Sequence, residues 1–72
     1  MERKQAAQLI QEQMKILFAF AFSKVRNKEE AEDLCSEIIV QVLNSIKIIK
    51  NEEAFYGYMW AVARNVKDLI RN

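Results

Sequence analysis

Three runs of apolar residues, each repeating at intervals of three and four positions, constrain the fold of this chain more than any other feature. That spacing places apolar side chains along one face of an α-helix. The runs predict helices at about residues 4–25, 28–47 and 52–70. The chain has no proline, so no residue of that kind interrupts the runs. The sequence therefore predicts an all-α fold, a compact bundle of three main helices.

The same spacing identifies the side chains expected in the core. In the first helix these are Leu9, Ile10, Met14, Ile16, Leu17, Phe18, Phe20, Ala21 and Val25. In the second they are Leu34, Cys35, Ile38, Ile39, Val42 and Ile46, and in the third Phe55, Met59, Val62, Val66 and Leu69, flanked by Trp60, Ala63 and Ile70. Asn27 and Asn51 are predicted N-caps, because each precedes a helix start with acidic residues in its first turn. Gly57, inside the third helix, is interpreted as a site of close approach by a neighbouring helix.

Length and composition exclude several classes of protein. A chain of 72 residues is expected to form one domain. It has no histidine, no glycine-rich phosphate loop and only one cysteine, so an enzyme is not expected and no cofactor is predicted. A metal site on the acids of the second helix is the weaker alternative, because acids in a first turn usually complement the helix dipole. Without a signal peptide or the roughly 18 apolar residues of a membrane span, no membrane insertion is expected and the cytoplasm is the default location.

The charges are unevenly distributed along the chain. Five acids and no base lie between Glu29 and Glu37, whereas bases predominate from Lys47 onward. The third helix also carries four aromatic residues between Phe55 and Trp60, too many for one buried face. Tyr58 shares a face with Ala61, Asn65 and Asp68, beside a basic row of Arg64, Lys67 and Arg71. An aromatic surface beside basic side chains is suited to binding single-stranded nucleic acid. From these residues alone, a solvated face with an amphipathic tyrosine is an equally good interpretation.

Two segments resemble a known family. Ala31-Glu32-Asp33-Leu34-Cys35-Ser36-Glu37, preceded by Asn27, is similar to the N-x-x-x-A-E-D-L-x-Q-E motif of region 2 in extracytoplasmic-function sigma factors. The stretch from Ala54 to Asn65, followed by Asp68 and Arg71, resembles the F-x-x-W-L-x-x-I-A-R-N-x-x-x-D-x-x-R motif of that family. The resemblance extends from about Leu17 to Arg71. Departures are Ser36 in place of glutamine, Tyr58 in place of tryptophan, and Ile48 and Ile49 in a loop that often carries aromatic residues and proline.

The resemblance implies a role in transcription initiation. Region 2 of that family is a helical domain that docks on the β′ coiled coil of the RNA polymerase core and opens the promoter −10 element. The implied polymerase contacts are Asp33, Ser36, Glu37 and Gln41. The implied contacts to the non-template DNA strand, including a base flipped from the stack, are Lys47, Lys50, Asn51, Tyr58, Ala61, Arg64, Asn65, Lys67, Asp68 and Arg71.

Two further expectations concern domains and partners. Nothing in the sequence corresponds to region 4, the second DNA-binding domain of complete family members, and an anti-sigma factor is a further candidate partner. The alternative function, from a different class, is a helical interaction module that forms a homodimer or binds a regulator without binding DNA.

Overall fold

The computed structural model describes the backbone of residues 1–71 and the side chains of residues 1–65. Helix α1 runs from Arg3 to Val25, α2 from Lys28 to Asn44, and α3 from Glu52 to Arg71. A single 3₁₀ turn, Ile46–Ile48, lies between α2 and α3. Within residues 1–71 there is no β-strand. The predicted all-α fold with three main helices is confirmed.

The connection between α1 and α2 is only two residues long. Arg26 takes up the left-handed conformation (φ 55°, ψ 32°), and its backbone N–H donates to the carbonyl of Phe22 at 2.7 Å, which ends α1. Asn27 is extended, and its side-chain oxygen accepts a hydrogen bond from the N–H of Glu30 at 3.0 Å. The predicted N-cap at Asn27 is therefore confirmed, and a helix stop and a helix start are placed side by side.

Helix α2 ends at Asn44, so the predicted end near residue 47 is wrong. After Asn44 the backbone tightens, with Ile48 N–H donating to the Ser45 carbonyl at 3.1 Å and Ile49 N–H to the Ile46 carbonyl at 3.2 Å. A 3₁₀ turn has three residues per turn, which puts positions 46 and 49 on the same side. Both isoleucines are buried there. Burial of this pair overrides the helical continuation that the sequence pattern favours.

The start of α3 follows the sequence pattern. The side-chain oxygen of Asn51 accepts a hydrogen bond from the N–H of Ala54 at 2.8 Å, and Glu52 and Glu53 occupy the first turn. The predicted N-cap at Asn51 is confirmed. Acids in this first turn also complement the positive end of the helix dipole.

The core lies on both sides of α2, which packs against α1 and against α3. Ile38 and Val42 at its centre have no exposed surface, and the same is true of Leu17 on α1 and Phe55 on α3. Among the described side chains, no polar or charged residue is buried. The buried side chains among residues 1–65 are Ala6, Leu9, Ile10, Leu17, Ala21, Ala31, Leu34, Cys35, Ile38, Val42, Ile46, Ile49, Phe55, Met59, Val62 and Ala63.

The predicted core of α1 was too wide. Met14 is 36% exposed and Ile16 56% exposed, so their assignment to the core is wrong. Ile10 and Leu17 are both buried and lie two helical turns apart. With 3.6 residues per turn, the position between them that faces the core is 13 or 14. Gln13 takes the half-buried position, and Met14 falls outside the packed stripe. Phe18, Phe20 and Val25 are half-buried against the core, whereas the predicted core positions Val66, Leu69 and Ile70 lie outside the described side chains.

Cys35 is buried in this interior. Burial raises the pKa of its thiol, and the nearby charge of Glu32 raises it further. Both effects disfavour the thiolate, the reactive form of cysteine. Cys35 therefore acts as a small apolar packing residue, as the sequence predicts.

Replacing Ile38 by Asp should unfold the protein. An unpaired buried charge costs about 3–5 kcal/mol, while a domain of this size has a stability margin of only roughly 3–5 kcal/mol. Circular dichroism should show loss of helical signal and of the cooperative thermal transition. Ile16→Asp is the matched control, because Ile16 is 56% exposed and should keep both. A cooperative, unchanged melt of Ile38→Asp would contradict the placement of α2 in the core.

Candidate protein and nucleic-acid interfaces

The outer side of α2 carries an acidic face, defined here as Asp33, Ser36, Glu37 and Gln41. Asp33, Ser36 and Glu37 are exposed, and Gln41 is half-buried. Positions 33, 37 and 41 follow one another at single-turn spacing, with Ser36 beside them. The amide of Gln41 donates to a carboxylate oxygen of Glu37 at 3.3 Å, so these two predicted contacts are joined. Ionised carboxylates only accept hydrogen bonds, which makes this face suitable for lysine and arginine side chains of a partner.

Val40 belongs to the same surface, although the sequence pattern did not identify it. It lies one turn after Ser36 on α2, and 52% of its surface is exposed. Protein interfaces commonly combine an apolar centre with a polar rim. An exposed apolar residue at the (i, i+4) position from a predicted contact is the signal that could have found it.

The segment between α2 and α3, residues 45–51, is anchored at several points. Ile46 and Ile49 are buried, and the N-terminal ammonium of Met1 donates to the Ile49 carbonyl at 2.8 Å and the Ile46 carbonyl at 3.4 Å. Lys47 and Lys50 are exposed, as their predicted role requires. Asn51 is exposed as well, but its side-chain oxygen is engaged as the cap of α3. Only the amide NH₂ group of Asn51 remains to donate to a ligand.

Tyr58 is less free than the sequence suggests. Its hydroxyl shares a hydrogen bond of 2.7 Å with the hydroxyl of Ser45, at the end of α2. The ring is half-buried against the core. Sequence reasoning missed Ser45, because the partners are 13 positions apart and no local pattern joins them. Tyr58 therefore ties α3 to the end of α2, and only part of its ring can stack on a ligand.

The other predicted nucleic-acid contacts lie along α3. Arg64 and Asn65 are exposed, and Ala61 is half-buried. Tyr58, Ala61 and Asn65 follow one another at helical spacing, which places them in one row. The remaining predicted contacts, Lys67, Asp68 and Arg71, lie outside the described side chains.

A second aromatic group lies where α1 meets α3. The rings of Phe20 and Trp60 meet edge to face, with centroids 5.4 Å apart and planes at 81°. The ammonium group of Lys24 lies over the Phe20 ring, 5.4 Å from its centroid. Both rings are half-buried, in agreement with the predicted place of Trp60 at the edge of the core. This group closes the junction between α1 and α3 and adds a positive charge beside it.

The described residues contain no group of three histidine, cysteine, aspartate or glutamate side chains arranged to bind a metal ion. No helix over the same part of the chain combines the length and the apolar character that a membrane span needs.

The family model described as Sigma-70 region 2 matches residues 9–72, most of the chain. The chain belongs to the sigma-70 region 2 family. Region 2 is a non-enzymatic domain of transcription initiation factors, and the family implies interaction with RNA polymerase and promoter DNA. Comparisons with curated proteins and with solved structures gave no match.

Gly57 of this region 2 domain lies open on α3. A Cβ atom built at this position would meet nothing within 4 Å, so the predicted close approach of a neighbouring helix is wrong. Glycine inside a helix is less favourable than alanine by roughly 0.5–1 kcal/mol. Gly57 therefore leaves helix backbone uncovered next to Tyr58, at a cost that packing within the described part of the fold does not explain.

Replacing Gly57 by Ala should stabilise the domain. We expect a gain of about 1 kcal/mol from the helix propensity of alanine, which corresponds to a rise in thermal midpoint of roughly 4–8 °C for a domain this size. Thermal melting followed by circular dichroism measures the change. The reciprocal control, Ala19→Gly at an exposed position of α1, should lower the midpoint by a similar amount. A lower midpoint for Gly57→Ala would reveal a contact at this position.

Proposed function

We propose that this chain is region 2 of a bacterial extracytoplasmic-function sigma factor, acting in the cytoplasm where the polymerase is found. In this proposal the acidic face of α2 docks on the β′ coiled coil of the RNA polymerase core. Segment 45–51 and α3 hold the non-template strand of the opened −10 element. The observation that carries the proposal is that α2 exposes acids at Asp33 and Glu37, whereas segment 45–51 and α3 expose bases at Lys47, Lys50 and Arg64. These elements share one packed core.

The polymerase contact is supported by the charge and the shape of the acidic face. Asp33 and Glu37 are exposed one turn apart, and Gln41 is held to Glu37 by a hydrogen bond. Val40 adds an exposed apolar side chain beside Ser36. A helix with this surface fits a partner helix that offers basic residues around an apolar contact. In the family, region 2 docks on the coiled-coil clamp helices of β′, and we propose Asp33, Ser36, Glu37 and Gln41 as the contacts to them.

The double substitution Asp33→Lys with Glu37→Lys should remove binding to an isolated β′ clamp-helix fragment. Reversing two charges turns attraction into repulsion, so we expect affinity to fall at least about tenfold. Both side chains are exposed, so circular dichroism should show unchanged helicity. Fluorescence anisotropy with a labelled clamp-helix fragment measures the affinity.

The matched control for this test is Glu2→Lys with Glu12→Lys. It makes the same change in net charge at exposed positions before and within α1. The control should lose far less affinity than the α2 variant, because neither glutamate belongs to the acidic face and salt screens attraction at longer range. Equal losses for both variants would mean that net charge, and not the acidic face, governs the association.

The strand contact is supported by the side chains exposed on α3 and on segment 45–51. Lys47, Lys50 and Arg64 can attract phosphates irrespective of sequence. Asn65 offers both a donor and an acceptor to a base edge, which becomes accessible once the base has left the stack. The hydroxyl of Tyr58 is bonded to Ser45, so we assign Tyr58 to ring contact alone. Ala61, Asn51, Lys67, Asp68 and Arg71 join the proposed surface through the family motif.

Arg64→Ala and Asn65→Ala should have separable effects on strand binding. Loss of one phosphate contact should weaken binding to every oligonucleotide and reduce the salt slope by roughly 0.7 log units. Loss of Asn65 should instead cost about 1–3 kcal/mol at one base and little elsewhere. Binding to non-template-strand oligonucleotides, in polymerase holoenzyme and across a salt series, measures both.

Lys15→Ala and Gln11→Ala are the matched controls for this pair. Both positions are exposed and lie on α1, outside the proposed strand surface. They should leave affinity, base preference and salt slope unchanged. If Arg64→Ala and Asn65→Ala also leave all of these unchanged, the proposed DNA surface is wrong.

A second candidate function is protein interaction without DNA binding. It is favoured by an apolar stripe at single-turn spacing on α1, formed by Met14 (36% exposed), the half-buried Phe18 and Phe22 (42% exposed). The rings of Phe18 and Phe22 lie 6.1 Å apart. A second copy of the chain or an anti-sigma factor are the two occupants proposed for this stripe. Concentration-dependent dimerisation in sedimentation, together with no binding to polymerase, would favour this function over the first.

A further inference from the structure

Ile48 is an exposed apolar side chain in an otherwise well-packed turn. It is 73% exposed, the largest value among the exposed large apolar side chains of the described residues. Its neighbours Ile46 and Ile49 are 8% and 3% exposed and anchor the turn in the core. Folding therefore uses two of these three isoleucines and leaves the third in water. The free energy of such a water-exposed apolar group is lowered when another molecule covers it and removes its surface from water.

The turn that carries Ile48 is held in place on both sides. The Ile48 N–H donates to the Ser45 carbonyl at 3.1 Å, and the Ser45 side chain is hydrogen-bonded to Tyr58 at 2.7 Å. On the other side, the Ile49 N–H donates to the Ile46 carbonyl at 3.2 Å. Isoleucine is β-branched, so its side chain also has restricted rotation about χ1. Ile48 is thus an apolar side chain with restricted rotation, on a turn whose backbone is held in place by hydrogen bonds.

The charges around Ile48 indicate what could cover it. The exposed Lys47 and Lys50 lie on either side of it in sequence, and no acid occurs in residues 45–51. Acids begin only with Glu52 and Glu53, in the first turn of α3. An apolar tip flanked by two cations complements a step between two bases, because the bases offer apolar faces and the backbone offers phosphates. A basic protein surface would be repelled by the same two lysines.

We infer that Ile48 is a wedge that enters the base stack at the boundary between paired and opened DNA. Insertion of isoleucine or a similar apolar side chain between bases unstacks a step and is a known way for proteins to deform DNA. In this role Lys47 and Lys50 hold the backbone while Ile48 fills the gap that unstacking creates. The inference rests on the proposed function and deepens it, because it assigns to one residue the step of separating bases, distinct from holding the strand afterwards.

The test uses polymerase holoenzyme assembled with this chain and a pool of fork-junction DNA. The probe carries 2-aminopurine, a base whose fluorescence rises on unstacking, at the last paired position of the non-template strand. Its single-stranded tail is randomised, so that no promoter sequence has to be assumed. The variants are Ile48→Ala, which removes the wedge, and Ile48→Met, which keeps an apolar side chain of similar reach. Thermal melting should be unchanged in both, since Ile48 contributes little to the core.

With Ile48→Ala, we expect the equilibrium constant for unstacking the probe base to fall at least about tenfold, because the substitution removes three apolar carbon atoms from between the bases. Affinity for a fully single-stranded pool should stay at the wild-type value, because the lysine contacts remain. Ile48→Met should unstack the probe base as the wild type does. Lys47→Ala should instead weaken binding to both DNA pools.

The opposing results separate failure of the wedge from failure of the proposed function. Unstacking by Ile48→Ala at the wild-type level would overturn the wedge while leaving the proposed function intact. An equal loss of affinity for the single-stranded pool would also overturn it, since Ile48 would then only hold the strand. Weaker assembly of Ile48→Ala with polymerase would assign the residue to a protein contact. If the wild-type chain binds neither polymerase nor either DNA pool, the proposed function fails and the wedge with it.

Discussion

Burial of the inner face of α2 between the other two helices is the interaction on which the rest of the structure depends. Ile38 and Val42 have no exposed surface, and α1 and α3 pack against this same helix. A chain of 72 residues has room for only one such core. The acidic outer face of α2 and the surface of α3 are therefore positioned by a shared set of apolar contacts. Any substitution that disturbs this core would disturb both surfaces together.

Most of the fold could be predicted because its determinants are local. Helical periodicity gave the three helices, and Asn27 and Asn51 marked two helix starts through contacts only three residues away. The errors arose where tertiary packing decided the outcome. Ile46 and Ile49 are buried together in a 3₁₀ turn, and α2 ends before them. Met14 lies outside the buried stripe of α1, because the helical period of 3.6 residues is not a whole number. Neither effect is visible without the neighbouring helices.

The candidate sites were predictable in composition but less so in geometry. Charged side chains such as Lys47, Lys50 and Arg64 were expected on the surface, and they lie there. The bond between Tyr58 and Ser45 joins residues 13 positions apart, which no sequence period connects. The exposure of Val40 and Ile48 was also missed, because the type of an apolar residue does not show whether it is buried or exposed. Such residues are identified only when the structure shows which apolar positions the core does not use.

The tight connections between helices have a consequence for how DNA would be opened. Arg26 and Asn27 reverse the chain in two residues, and segment 45–51 is anchored by buried isoleucines and hydrogen bonds. Neither connection is long or free enough to let the helices reorient around a ligand. If the domain holds DNA as proposed, the nucleic acid must supply the deformation. Pyrimidine–purine steps such as TA unstack most readily, so a rigid protein of this kind would favour easily deformed sequences even at positions that its side chains never touch.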